Sequence, residues 1–281
     1  MGAGTGFGER LLAASRRHGR LCVGIDPHAS LLQSWGLADD VAGLKEFTSR
    51  CVEAFAGHVA LVKPQVAFFE RFGSAGFAVL ERALADLRES GTLVVADAKR
   101  GDIGSTMAGY ADAWLGERSP LSTDAVTVSP YLGVGALQPV FDYAASTGAG
   151  VFVLAATSNP EAVELQSHAD ANGRSVAQHV VDACAALNAS ASAQGLAGSV
   201  GNIGVVVGAT LAVPPVLDGL GGPVLMPGVG AQGGTRADVD RIAGSSLGIP
   251  NVSRSVLSAG PDVAALRRAA IRAAGDYPVG R

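Results

Sequence analysis

Eight short apolar segments alternate with amphipathic segments along almost the entire chain of 281 residues. Glycine, proline or polar residues bound each apolar segment, as they bound buried strands. The intervening segments, such as VAGLKEFTSRCVEAFAG and GFAVLERALADLRESG, place apolar residues at helical spacing. Strands that alternate with helices form parallel sheets through right-handed crossovers. The predicted strands are residues 20–26, 58–63, 92–99, 123–129, 150–157, 202–210, 222–228 and 249–255.

Eight strand–helix units in fewer than 300 residues predict a closed (β/α)8 TIM barrel of the α/β class. An open, doubly wound sheet is the alternative. No Pro- or Ser-rich linker divides the chain, so residues 1–281 are expected to form a single barrel domain. The longest connection, residues 160–201 between strands five and six, should contain a helix around SVAQHVVDACAALNA. Its flank SASAQGLAGS is predicted to be a loop.

Charge and cysteine content exclude several classes of protein. A net charge of -4 argues against a nucleic-acid-binding face, which is normally basic. The three cysteines, Cys22, Cys51 and Cys184, fit neither a zinc site nor a disulfide framework, which indicates a reducing compartment. No apolar run approaches the roughly 20 residues of a membrane span. We therefore expect a cytoplasmic protein that binds neither nucleic acid nor a membrane.

Polar residues follow several of the predicted strands. In a TIM barrel, the carboxyl ends of the strands meet at one rim, and active sites lie there. Only three of the 21 basic residues are lysines, and two of them, Lys63 and Lys99, stand at strand ends. The rim is therefore predicted to carry the functional site. The polar residues that end strands one, two, three, five and eight include Asp26, Lys63, Asp97, Lys99, Ser158 and Arg254.

The segment VVADAKRGDIGST places charges directly after a strand that reads as buried. Asp97 and Lys99 are two residues apart, so in a strand both side chains face the barrel mouth. A structural ion pair is the alternative explanation, but a second ammonium in the same mouth, that of Lys63, favours a functional charge network. Asp102 lies in a glycine-flanked turn and could reach a neighbouring subunit instead of its own site.

The segment GVGAQG, residues 228–233, formally matches the G-x-G-x-x-G dinucleotide fingerprint. Its context argues against that interpretation, because it follows the seventh strand and no acidic residue stands about twenty positions later. Arg254 stands near that position instead. A phosphate site formed after strands seven and eight is favoured, since glycines let backbone N–H groups approach an anion. An ordinary glycine-rich turn is the alternative.

The stretch DAKRGDIGST, with lysine ending strand two and aspartate ending strand one, resembles the orotidine 5′-phosphate decarboxylase family. The resemblance continues at PGVGAQGG and runs in order from Asp26 to Arg254. It implies a TIM barrel that converts orotidine 5′-phosphate to uridine 5′-phosphate (UMP) in pyrimidine biosynthesis. It also implies a homodimer that uses no cofactor and no metal.

The resemblance further implies roles for individual residues. Lys99 would donate a proton to C6 of the pyrimidine, Asp97 would face the departing carboxylate, and Lys63 would link the charge network to the ribose. From the other subunit, Asp102 and Thr106 would reach into the site. The implied substrate-binding residues are Asp26 at the ribose hydroxyls, Ser158 at the pyrimidine edge, and Gln232, Arg254 and the backbone of the loop around Gly230 at the phosphate.

The physical chemistry of these residue types suits such a reaction. Decarboxylation without a cofactor leaves a carbanion, which needs nearby positive charge and a proton. A lysine between two carboxylates stays protonated, because opposite charges favour the ammonium form. That disfavours a Schiff base, which needs the free amine. Arginine could not replace it, since a guanidinium does not release its proton in proteins.

Two other functions remain open at this stage. Metal-dependent sugar-phosphate decarboxylases or aldolases of the same barrel type share the D-x-K-x-x-D pattern. They end strand two with an acidic residue that holds Mg²⁺, whereas this chain has Lys63 there. A non-catalytic barrel that binds a phosphorylated ligand is the third possibility. Against it stands the cost of assembling the charges of Asp97, Lys99 and Asp102 at a rim without a use for them.

Overall fold

The computed structural model describes residues 5–195 and 198–279. Each strand pairs in parallel with the next, and β8 pairs with β1, so the sheet closes in chain order. The predicted TIM barrel is thereby confirmed, and the open sheet is wrong. The strands are β1 (Cys22–Ile25), β2 (Leu61–Pro64), β3 (Leu93–Arg100), β4 (Ala125–Val128), β5 (Gly150–Ala156), β6 (Ile203–Val207), β7 (Pro223–Met226) and β8 (Leu247–Val252).

Helices cover the outside of the barrel, and several begin at side-chain caps. Asp40, Ser175 and Asp262 each accept a hydrogen bond from a backbone N–H in the first turn of the helix that follows. The helices are α1 (Phe7–His18), α2 (Ala29–Ser34), α3 (Val41–Phe55), α4 (Ala67–Glu70), α5 (Gly73–Glu89), α6 (Gly104–Leu115), α7 (Gln138–Thr147), α8 (Ala162–Gln166), α9 (Val176–Ala193), α10 (Arg236–Ala243), α11 (Arg254–Leu257) and α12 (Val263–Gly275), with a 3₁₀ turn at Val134–Leu137.

Several predicted boundaries differ from the structure, and two of these differences change the secondary structure assigned to a segment. Helix α9 continues to Ala193, so the first part of the SASAQGLAGS segment is helical; alanine is the strongest helix former, which suits this extension. Residues 196–197 of that segment lie outside the described residues. Strand β8 ends at Val252, and Arg254 is the first residue of α11. The chain turns there because the Ser253 carbonyl accepts hydrogen bonds from Val256 and Leu257.

The interior of the barrel changes from apolar to polar along the strand direction. Its amino-terminal half forms a buried apolar cluster that includes Leu61, Val95 and Ala125. Residues two positions further along the same strands face the same way. These are Lys63, Asp97 and Thr127, and all three are buried. The residues at every second position of these strands therefore form both the apolar core and the polar carboxyl end of the barrel interior.

Helix α1, which the sequence analysis did not predict, packs against the starts of the strands. Phe7, Leu11 and Ala14 belong to the same buried cluster as the barrel interior. The Phe7 ring meets the Phe152 ring edge to face, with centroids 5.8 Å apart. A Cβ at Gly150 would clash with the Phe7 ring, so glycine permits this close approach. Helix α1 thus closes the end opposite to the polar rim.

No helix within residues 5–195 and 198–279 combines the length and apolar character needed to cross a lipid bilayer.

Phe7→Ala should lower the free energy of unfolding by about 3–5 kcal/mol, because it removes a fully buried ring and leaves a cavity. The matched control is Phe77→Ala in α5, where the ring is only partly buried and the loss should be smaller. Urea denaturation followed by circular dichroism measures both. Equal losses of stability in the two variants would contradict the role of α1 in closing the apolar end of the barrel.

Candidate active site

A cavity of about 500 Å³ opens at the carboxyl ends of the strands. It brings together residues from β2, β3, α11 and the segments after β1 and β7. The predicted site residues that line it are Asp26, Lys63, Asp97, Lys99, Gln232 and Arg254. Position and lining are those expected of a TIM-barrel active site.

The carboxylate of Asp97 lies at the centre of the polar cluster and accepts four hydrogen bonds. Its Oδ2 accepts from Lys63 Nζ at 2.8 Å and from Gln65 Nε2 at 2.9 Å. Its Oδ1 accepts from Lys99 Nζ at 2.6 Å and from Thr127 Oγ1 at 3.0 Å. Two ammonium groups and two neutral donors therefore surround one buried carboxylate. Such bonding favours the ionised form of a carboxyl group.

The charges of Lys63 and Asp97 depend on each other. Burial alone would raise the pKa of Asp97, but the ammonium groups of Lys63 and Lys99 hold it well below its ordinary value. Burial alone would lower the pKa of Lys63, but the carboxylates of Asp97 and Asp26 raise it well above its ordinary value. Both groups therefore remain charged through the physiological range.

Lys99 differs from Lys63 in its exposure to the cavity. The Lys63 side chain is 5% exposed, whereas the Lys99 side chain is 45% exposed. Lys99 Nζ lies 2.6 Å from Asp97 and 3.5 Å from Gln65 Oε1. An ammonium has three donors, so Lys99 keeps donor capacity for a ligand. The geometry allows Lys99 to deliver a proton into the cavity, while Lys63 is held in the wall.

Two cavity-lining residues each carry a buried oxygen atom that has no hydrogen-bond donor within residues 5–195 and 198–279. Asp26 Oδ1 and Asn251 Oδ1 are buried, and neither accepts a hydrogen bond from the part of the chain described. Both residues line the cavity. Buried polar atoms without partners cost stability, so their presence in a native fold calls for an explanation. A ligand hydroxyl group is one donor that could satisfy such an oxygen atom.

The glycine loop after β7 presents a different set of groups from those expected. Ala231 and Gln232 line the cavity, and their backbone N–H groups make no hydrogen bond within the described residues. Gly230 does not line it, and its N–H donates to the Gly234 carbonyl at 3.0 Å. Its φ of +74° shows that glycine is needed there for the backbone turn. Arg254 completes this anion-compatible end of the cavity.

Besides Gly230, three predicted site residues are not among those that line the cavity of their own chain. Ser158 is exposed just after β5, beside Thr157, which does line the cavity. Asp102 accepts a hydrogen bond from the Ile103 N–H at 2.7 Å, and Thr106 is exposed in the first turn of α6. The single chain therefore does not place Asp102 beside Lys99.

The sequence analysis did not assign functions to Gln65, Thr127, Asn251 and Ser253. Gln65 and Thr127 bond to Asp97, while Asn251 and Ser253 line the cavity. Thr127 and Asn251 lie two residues after the inward-facing Ala125 and Ile249 of their own strands, so the alternation of strand residues could have found them. Gln65 and Ser253 follow the ends of β2 and β8, where only their position at the rim indicates a role. Their polar partners lie on other strands, and no local pattern identifies those.

The sequence model described as "Orotidine 5'-phosphate decarboxylase / HUMPS family" matches residues 19–269. That range includes all the residues assigned to the site above. The chain belongs to the orotidine 5′-phosphate decarboxylase / HUMPS family.

Individual members of the family are similar over nearly the whole chain. A relative from Corynebacterium glutamicum (strain R), named orotidine 5′-phosphate decarboxylase, is 65% identical over 274 residues, covering 97% of this chain and 98% of its own. A relative of the same name from Streptomyces coelicolor is 56% identical over 269 residues, covering 95% of each.

Solved structures agree in fold. A crystal structure from Streptomyces avermitilis superposes with a TM-score of 0.92 at 54% identity and covers 98% of this chain and 95% of that chain. The structure of Leishmania donovani OMP decarboxylase has a TM-score of 0.71 at 28% identity, covering 96% and 98%.

Asp97→Asn should lower the free energy of unfolding at pH 7 by about 3 kcal/mol, because it leaves the Lys63 ammonium buried without its main counter-charge. Lys99→Met is the matched control. The Lys99 side chain is 45% exposed, so its loss should cost less than about 1 kcal/mol. Urea denaturation of both variants and the wild type measures the difference.

The difference in unfolding free energy between the wild type and Asp97→Asn should depend on pH. The folded-state pKa of Asp97 lies below its ordinary value, so its contribution is fully present above about pH 5 and declines as the pH falls toward the depressed pKa. The difference between the wild type and Asp97→Asn should be constant from about pH 5 to 8 and shrink below about pH 4. A difference that grows on acidification would show that the carboxylate is not stabilised by the ammonium groups.

Proposed function

We propose that the protein decarboxylates orotidine 5′-phosphate to UMP for pyrimidine biosynthesis, without a cofactor. The main support comes from the buried, ionised Asp97, which accepts hydrogen bonds from two ammonium groups. One of these, the ammonium of Lys99, is exposed to the cavity. Family membership and the names of relatives at up to 66% identity support the reaction.

The proposed chemistry uses Lys99 as the acid. The bond between C6 and the carboxylate breaks, CO₂ leaves, and the electron pair remains on C6. The Lys99 ammonium transfers one proton to C6, and the neutral amine is reprotonated from water. Fixed positive charge stabilises the developing carbanion. Asp97 holds Lys99 in place and would lie beside the substrate carboxylate, where the loss of CO₂ relieves repulsion.

The proposed binding mode places the nucleotide along the cavity. Asp26 Oδ1 would accept a hydrogen bond from a ribose hydroxyl, which explains why this buried oxygen has no donor. Arg254 and Gln232, with the free N–H groups of the glycine loop, would hold the phosphate. Ser158 stays the proposed contact at the pyrimidine edge, and its neighbour Thr157 lines the cavity. Binding energy from the remote phosphate can then be used at the reacting ring.

The donor set in the cavity supports chemistry without a metal. The carboxylates that line it are those of Asp26 and Asp97. Both attract the Lys63 ammonium and raise its pKa. Its positive charge would repel a divalent cation at the end of β2. Within residues 5–195 and 198–279, no group of three or more His, Cys, Asp or Glu side chains is arranged to hold a metal ion.

A homodimer is proposed as the active form. Lys99 pairs with one carboxylate in its own chain, while Asp102 and Thr106 do not line that chain's cavity. Nearby, Ile103, Tyr131 and Leu132 are 62%, 77% and 54% exposed. The two loops that carry them are adjacent, since Ser129 N–H donates to the Arg100 carbonyl at 2.8 Å. An apolar patch of this kind marks a protein interface. A second chain packed there would bring Asp102 and Thr106 toward the other cavity.

The cytoplasm remains the proposed compartment. The support comes from Cys22, Cys51 and Cys184, whose thiols are buried and free.

Purified protein should convert orotidine 5′-phosphate to UMP in the presence of EDTA, measured as a change in ultraviolet absorbance. Lys99→Ala should abolish turnover, because it removes the proton donor, while the fold and UMP binding persist. Near-wild-type turnover by this variant would refute the assignment of the acid. Activity that EDTA removes and Mg²⁺ restores would instead support a metal-dependent reaction.

Mixing two inactive variants tests the shared site. If Asp102 acts across the interface, a mixed dimer of Lys99→Ala and Asp102→Asn contains one site with both native residues and should recover activity. Each variant alone is the control, and subunit exchange is verified with a mass label. Full exchange without recovered turnover would argue that Asp102 does not act across the interface.

A further inference from the structure

Thr127 in β4 connects the two residues on which the proposed reaction depends. It is 1% exposed and does not line the cavity. Its Oγ1 lies 3.0 Å from Asp97 Oδ1 and 3.0 Å from the backbone nitrogen of Lys99. A third contact, to the Ala96 carbonyl, is longer at 3.5 Å.

The charge state of Asp97 determines the direction of these bonds. Asp97 is ionised, because Lys63 and Lys99 hold its pKa well below the ordinary value despite burial. An ionised carboxylate only accepts hydrogen bonds, so the Thr127 hydroxyl donates its one proton to Asp97 Oδ1. The backbone N–H of Lys99 can only donate, and it donates to a lone pair of the same hydroxyl.

The backbone of Lys99 shows why such a bond matters. Its φ is +48°, and it is the one non-glycine residue with positive φ in the described part of the chain. That conformation costs of order 1 kcal/mol or more and needs support from its surroundings. The register between β3 and β4 also shifts between Ala96 and Arg100. At this irregularity the Thr127 hydroxyl accepts the bond that a regular ladder would direct to a backbone carbonyl.

We propose that Thr127 is a positioning residue for Lys99 and Asp97, an inference that rests on the proposed decarboxylation. The hydroxyl fixes the left-handed turn of the Lys99 backbone and one oxygen of Asp97, to which the Lys99 ammonium binds. Backbone and side chain of Lys99 are thereby tied to the same carboxylate. Removing the hydroxyl leaves the phosphate and ribose contacts intact and lets the ammonium move relative to C6.

Thr127→Val tests the proposal, because valine has the same shape without the hydroxyl. Its kcat should fall about 10- to 100-fold, as expected for a displacement near 1 Å, with KM changed less than about threefold. Thr127→Ser, which keeps the hydroxyl, should retain kcat within about threefold of the wild type.

The matched control is Thr123→Val, immediately before β4. The Thr123 hydroxyl is also buried and also has two partners, the carbonyls of Trp114 and Ala125, but it contacts neither Asp97 nor Lys99. It should lose stability comparably to Thr127→Val, by thermal midpoint, without loss of kcat. Equal kcat losses in the two valine variants would mean a general structural effect and would overturn the proposal, as would a folded Thr127→Val with wild-type kcat.

A structural readout separates this inference from the proposed reaction. In a crystal structure of Thr127→Val, or of Thr127→Ala if the valine variant does not fold, the Lys99 φ should change or its ammonium should leave Asp97. An unchanged Lys99 would overturn the positioning role whatever the activity. Failure of the wild type to consume orotidine 5′-phosphate would overturn the reaction alone.

Discussion

The buried carboxylate of Asp97 is the constraint on which the rest of the site depends. An isolated charge in a protein interior is unstable, so it must be paired and hydrogen-bonded. Lys63, Gln65, Lys99 and Thr127 supply four donors from three adjacent strands, with Gln65 immediately after β2. A closed barrel can bring these residues around one point while it keeps water out of the amino-terminal half of its interior. The ion pairs therefore depend on the pairing of β2, β3 and β4, and the closed sheet keeps them buried.

Each of these strands carries an apolar residue near its start and a polar residue near its end inside the barrel. Their first inward-facing residues form the apolar cluster that α1 covers with Phe7 and Leu11. Their later inward-facing residues carry the charges of Lys63 and Asp97. The apolar end tolerates no polar group without loss of packing, while the polar end contains groups that the fold alone does not satisfy. A change at the apolar end should therefore affect stability, whereas a change at the polar end, such as Asp97→Asn, should affect both stability and the proposed chemistry.

Several features of the polar rim are unfavourable for an empty protein. Lys99 adopts a left-handed backbone, and the buried oxygens of Asp26 and Asn251 lack donors in the described chain. Strain and unsatisfied polar atoms concentrate at functional sites, where a ligand or a transition state compensates for them. Here they surround a cavity with the Lys99 ammonium at one wall and the proposed phosphate-binding groups at another. These features are those expected of a site that binds an anionic ligand with hydroxyl groups.

The sequence alone predicted the eight strands, favoured the closed barrel over an open sheet, and placed Asp26, Lys63, Asp97 and Lys99 at one rim. Those properties follow from local periodicity and from the rule that parallel strands end at a common edge. Only the tertiary structure revealed that α1 closes the apolar end of the barrel and that Gln65 and Thr127 donate hydrogen bonds to Asp97. It also revealed that the Gly230 N–H donates to the Gly234 carbonyl. It further showed that Asp102 does not line the cavity of its own chain. Register between strands and loop conformation decide these contacts, and both arise from packing between residues distant in sequence.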